Sequence, residues 1–132
     1  MNDECAVMPG DDTPARSLLH AAETLAERPE LGTRGLWPRV LLARQALEVA
    51  LKTYWSAAAP GVEECSARSQ LLCLGRYLSD QPLAGRAHQV WAALSRASHH
   101  HPYDLAPTHD ELHAWCETVA EVIERTERAW RR

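Results

Sequence analysis

The sequence predicts an all-α fold, an antiparallel bundle of four to five helices built as one domain. Three observations carry this. Apolar residues return at spacings of three and four along every long segment, as one face of a 3.6-residue helix requires. No stretch alternates with period two. Proline, glycine and short polar residues fall where helices should start and stop.

The chain has 132 residues, enough for a single hydrophobic core. Residues 1–12, with Pro9, Gly10 and the adjacent Asp11 and Asp12, lack periodicity and read as a flexible N-terminal tail; residues 13–132 form the domain. Thr13 before Pro14 is a helix start, with Leu18, Leu19, Ala22, Leu25 and Ala26 facing inward until about Arg28, where Pro29 ends the run. His20 beside this stripe reads as a partly exposed spacer. Gly32 and Gly35 mark a loop, and Pro38 opens a long second helix with Val40, Ala43, Leu47, Ala50, Leu51, Tyr54 and Ala57 on its apolar side. Arg44, Glu48 and Lys52 form an i, i+4 ladder opposite.

Pro60-Gly61 breaks the chain, and Ser66 caps a shorter helix to about Leu78, with Leu71, Leu72, Leu74 and Gly75 in its apolar body. Gly75 suits close helix approach. After the turn at Ser79 to Pro82, the segment Leu83 to Tyr103 reads as an amphipathic helix that runs into His99, His100 and His101 and is stopped by Pro102. Thr108 and Glu111 have the spacing of a capping box, opening a last helix with Leu112, Trp115, Cys116, Val119, Val122, Ile123 and Trp130 inward. On it Glu121–Arg125, Glu124–Arg128 and Glu127–Arg131 stand at i, i+4 in the favourable order.

A net charge of −4 excludes a protein that holds nucleic acid by bulk charge, so any phosphate contact must be local. Five tryptophans and no phenylalanine mean that indoles supply much of the aromatic volume. The four cysteines, Cys5, Cys65, Cys73 and Cys116, form no Cys-x-x-Cys pair and read as reduced thiols of a cytoplasmic protein. No apolar run approaches the roughly 20 residues of a membrane span, and the acidic start does not resemble a signal peptide.

Two constellations could carry chemistry. His109 and His113 stand at i, i+4 and could bind zinc with Cys116 or His101, but the glutamate of an H-E-x-x-H site is missing. The stronger one is Arg96 with His101. RNA is cut without a metal when its 2′-hydroxyl attacks the neighbouring phosphate. This needs a base, an acid for the leaving oxygen, and a permanent cation on the charged transition state. Histidine titrates in the right range for the proton transfers, and arginine offers a fork matched to phosphate oxygens. No cofactor or metal is required. His99 and His100 are accessory candidates, since His100 is i+4 from Arg96, and Asp104 could orient an imidazole or cap the connector.

Arg96-Ala97-Ser98-His99-His100-His101 resembles the Arg-x4-6-His motif of HEPN domains, and with Tyr103 it resembles the Arg-x4-His-x-Tyr form of HepT-type toxins. Ala43 to Trp55, Cys65 to Leu78 and Leu94 to Thr108 are similar to an actinobacterial-type HEPN subgroup, and the resemblance spans residues 13 to 130. It implies a HEPN-like helical bundle and a toxin or defence endoribonuclease acting on RNA. Arg96 is then the phosphate-binding cation, His101 the general acid/base, and Tyr103 the tyrosine that a partner nucleotidyltransferase antitoxin modifies. It also implies a homodimer whose two motifs face each other. Ala97 departs from the polar residue frequent after the arginine, and Pro102 stiffens the approach to Tyr103. The alternative is a catalytically silent HEPN-like module that binds RNA or protein.

Overall fold

The computed structural model describes residues 13–99 and 105–130 of the chain. Among these residues there are five α-helices, α1 (Pro14–Ala26), α2 (Leu36–Ala58), α3 (Ala67–Leu78), α4 (Gln81–Ser98) and α5 (His109–Trp130), with two 3-10 segments and no strand. The helical bundle forms around α2, which packs against the other four helices. Val40, Ala43, Ala46, Leu47, Leu51 and Trp55 of α2 are fully buried.

Thr13 caps α1, its Oγ1 accepting from the Arg16 N–H at 3.3 Å. The helix stops at Ala26, short of Arg28. Pro29 disfavours α geometry in the residue before it, and Arg28 has φ −110 and ψ 84. The expected glycine loop is instead a 3-10 segment, Pro29–Gly35, kinked at Gly32, whose φ of 54 and ψ of −135 suit only glycine. Helix α2 begins at Leu36 rather than at Pro38. Proline at the third position is tolerated there because the first four amide donors of a helix have no partner within it.

Ser66 caps α3 by accepting from the Ser69 N–H at 3.2 Å. Leu71, Leu74 and Leu78 are buried, but Leu72 is 68% exposed. It sits about 100° round the helix from Leu71 and misses the core face. Gly75 does permit close approach, since a Cβ there would collide with the Gln81 side-chain amide at the start of α4.

Helix α4 ends at Ser98, ahead of the histidines rather than among them, and the His99 N–H closes its last turn on the Arg96 carbonyl at 3.2 Å. His99 leaves helical geometry at φ −94 and ψ 57, and a continued helix would lack a donor for the Ser98 carbonyl because the sequence has proline four residues on. Trp91 is half-buried and donates its indole N–H to Glu48 Oε2 at 3.0 Å. Glu48 also takes Arg44 at 3.2 Å, so this part of the ladder ties α2 to α4.

The capping box of α5 is complete: the Thr108 N–H donates to Glu111 Oε1 at 2.9 Å and the Glu111 N–H to Thr108 Oγ1 at 3.0 Å. Leu112, Cys116, Val119, Val122 and Ile123 are buried as expected, and so are Thr118 and Thr126, whose hydroxyl donates to the Val122 carbonyl at 2.8 Å. Glu124 pairs with Arg128 at 2.7 Å along the helix. The expected Glu121–Arg125 pair gives way to contacts between elements. Glu121 takes a two-pronged contact from Arg86 of α4 at 2.9 and 3.1 Å, Arg125 reaches Asp80, and Glu127 pairs with Arg16 of α1 at 2.7 Å. Arg131 and the side chain of Trp130 lie outside the described residues. No described helix is long and apolar enough to cross a membrane.

Candidate functional site

The last turn of α4 carries Arg96 on its exposed side, while Leu94 two residues earlier is fully buried and anchors the helix end. Among the described residues Arg96 has no carboxylate within 4.0 Å, unlike the arginines at 16, 44, 86, 125 and 128. Arg96 borders a cleft of about 400 Å³ between α4, the connector at 105–108, the start of α2 and the first turns of α5. That volume falls within the range of about 300–1,000 Å³ usual for small-molecule sites. Trp37 of α2 and Trp115 of α5 also line it, each half-buried. A permanent cation and two tryptophans lining one cleft suit a phosphate with an attached base, because any base can stack on an aromatic ring.

The connector holds its position through the two residues that follow Ala106. Pro107 is buried, and Thr108 is fixed by the capping box. Glu111 lines the cleft, but one of its oxygens is engaged by the Thr108 N–H. Leu105 is 96% exposed at the mouth. Ala97 is half-buried against the core, so the position after Arg96 serves packing.

Of the residues predicted for the site, Arg96 lies in the cleft and His99 is exposed as the cap of α4. His100, His101, Tyr103 and Asp104 lie outside the described residues. Among the described residues the zinc constellation with Cys116 does not assemble, and its other third ligand, His101, lies outside them. His109 and His113 are exposed, whereas Cys116 is a core residue 4% exposed. Burial pushes its thiol up to about 11, so it is protonated at neutral pH and a poor metal ligand. Among the described residues no three or more His, Cys, Asp or Glu side chains are placed to hold one ion.

Sequence reasoning missed three residues. Trp115 falls on the apolar stripe that predicts the core and Trp37 stands outside any periodic pattern, yet both line the cleft. Arg39, at 5% exposure, is a buried guanidinium whose Nη1 donates to Nδ1 of His109 across 3.1 Å. Its register was the available signal: Arg39 stands four and seven residues before Ala43 and Ala46, on the buried face of α2. No family model matches the chain, and neither does any curated protein or solved structure.

Proposed function

We propose that this chain is a HEPN-like, metal-independent endoribonuclease that cuts RNA by 2′-hydroxyl attack, with Arg96 as the phosphate-binding cation and His101 as the general acid/base. The observation that carries this reading is the position of Arg96: exposed, without a carboxylate partner among the described residues, and bordering a cleft walled by Trp37 and Trp115. A single-stranded nucleotide would place its base on an indole and its phosphate on the guanidinium. The sequence places His101 five residues after Arg96, beyond the end of α4. Tyr103, His99, His100 and Asp104 are accessory groups in this reading. A homodimer would bring a second His101 to serve as acid while the first serves as base, and a nucleotidyltransferase antitoxin would act on Tyr103.

The test is cleavage of labelled single-stranded RNA in EDTA. The expected product ends in a 2′,3′-cyclic phosphate, and His101→Ala lowers the rate by about a hundredfold or more, as loss of a proton-transfer group does. Cutting that survives in the Arg96→Ala/His101→Ala double variant would remove both residues from the mechanism. A second reading, a catalytically silent HEPN-like binding module, is favoured by the apolar lining at Ala93, Ala97, Leu105 and Pro107. It expects RNA or protein binding without turnover, unchanged by His101→Ala.

A further inference from the structure

The connector at 105–108 separates two cavities. Ala106, Pro107 and Thr108 line the Arg96 cleft on one side; on the other they line a second cavity of about 650 Å³, bounded by the 3-10 segment, the start of α2 and the N-terminus of α5. Arg39 and His109 belong only to the second.

Arg39 is charged at any physiological pH, and burying an ion without a counter-ion is costly. Yet among the described residues it has no carboxylate within 4.0 Å. Its one polar partner is neutral or cationic, the His109 ring, and its Nε is buried with no partner. Arginine can only donate, so Nδ1 of His109 accepts and the proton of the neutral ring sits on Nε2. His109 and Asp110 occupy the first turn of α5, a helix of 22 residues, where amide donors have no partner within the helix and the dipole favours an anion. Arg28 stands at the rim, already paired with Glu30 at 3.0 Å. Asp110 and Glu111 are the opposing charges in that turn; both are exposed, and the capping box already engages Glu111 through its N–H and one carboxylate oxygen.

We propose that this second cavity is a phosphate-binding site, with Arg39 as its cation and His109 and the α5 N-terminus as its neutral donors. A phosphoryl oxygen would supply the counter-charge that the buried guanidinium lacks. The site is separate from the Arg96 cleft, although the shared connector wall would let one strand reach both. The phosphate could therefore be free, or a diester of a bound nucleic acid.

The experiment uses the full chain, inorganic phosphate as probe, and chloride at matched ionic strength as reference. Phosphate should raise the Tm of the wild type and of Arg96→Ala, and should move the backbone amide resonances of His109 and Asp110. In Arg39→Met the Tm rise should vanish and phosphate affinity fall by about tenfold or more. In chloride this variant should melt no earlier than the wild type, because an uncompensated buried charge has been removed. His109→Gln, at an exposed position, serves as the second variant and should weaken the response without impairing folding. A short oligodeoxyribonucleotide, which lacks the 2′-hydroxyl and cannot be cut by the proposed route, separates the sources. Amide shifts with both probes indicate a strand phosphate, and shifts with inorganic phosphate alone indicate a free one. Equal Tm in phosphate and chloride with unmoved amides would overturn the site. So would a response kept in Arg39→Met but lost in Arg96→Ala, which would put the anion in the first cleft and leave the proposed function intact.

Discussion

Arg125 of α5 fastens the corner between α3 and α4 by gripping Asp80. One arm of the guanidinium donates to Asp80 Oδ2 and the other to the Leu78 carbonyl at 3.0 Å. Asp80 is already shared by two helices. Its N–H closes α3 on the Gly75 carbonyl at 2.9 Å, and its Oδ1 caps α4 by accepting from the Leu83 N–H at 3.1 Å. Between them Ser79 adopts a left-handed φ of 53, completing a Schellman-type end to α3. Asp80 thus closes α3 through its N–H and ties the start of α4 to α5 through its carboxylate.

This arrangement makes the corner sensitive to acid. The Leu83 N–H, and then the Arg125 guanidinium, hold the Asp80 carboxyl below its ordinary value of 3.8. A carboxyl lowered in the folded state adds stability above its unfolded pKa and loses it as pH falls through the folded one. Asp80→Asn should therefore lower Tm at pH 7 and flatten the fall of Tm below about pH 4 relative to wild type. Parallel curves for the two proteins across that range would show that Asp80 carries no share of the acid response.

Core and surface leucines should separate cleanly. Leu47 is fully buried at the centre of α2, and Leu47→Ala should cost about 2–5 kcal/mol through lost burial and the cavity left behind. Leu72→Ala, at a position 68% exposed, should stay within about 0.5 kcal/mol of wild type. Urea denaturation of both variants checks the pair, and a Leu72 effect as large as that of Leu47 would mean that α3 presents a different face to the core.

Local chemistry was the most legible part of the sequence. Thr13, Ser66 and the Thr108–Glu111 box act within three or four residues, and each forms the predicted bond. The buried positions of α5 followed from periodicity for the same reason. What escaped depends on neighbours distant in the chain. Glu121 and Arg125 have good partners along their own helix, yet Arg86 and Asp80 lie opposite them in space and win. Arg39 has no local signature beyond its register on the apolar face of α2, and its partner His109 lies 70 residues away in the chain. Arg96 was marked by spacing alone, whereas the indoles beside it come from α2 and α5 and have no signature near it.

The cysteines should rank by burial. Burial raises the Cys116 thiol from an ordinary 9.0 to about 11, while Cys65 and Cys73 are exposed. At pH 8 an alkylating reagent should modify Cys65 and Cys73 well before Cys116, read by mass spectrometry of the folded protein. Linkage adds a stability consequence. The unfolded chain gives up this proton first, so the contribution of the buried thiol is intact below pH 9 and is lost as pH rises towards about 11. Cys116→Ala should remove that alkaline component of the Tm curve. Equal labelling rates at all three sites would instead indicate that α5 opens readily from the bundle.

Stability and function should part company at Arg96. The side chain is exposed and has no ion-pair partner among the described residues, so Arg96→Ala should change unfolding free energy by no more than about 0.5 kcal/mol. Thr108→Ala removes the cap of α5 and should cost about 1 kcal/mol, loosening the connector that borders both cavities. If Arg96 binds the scissile phosphate, Arg96→Ala will lose RNA cleavage at unchanged Tm. Thr108→Ala will lose part of both, and lowering the assay temperature will restore some of its activity but none to Arg96→Ala. An Arg96→Ala protein that melts several degrees early would mark the arginine as a structural group and detach the cleft from the chemistry proposed for it.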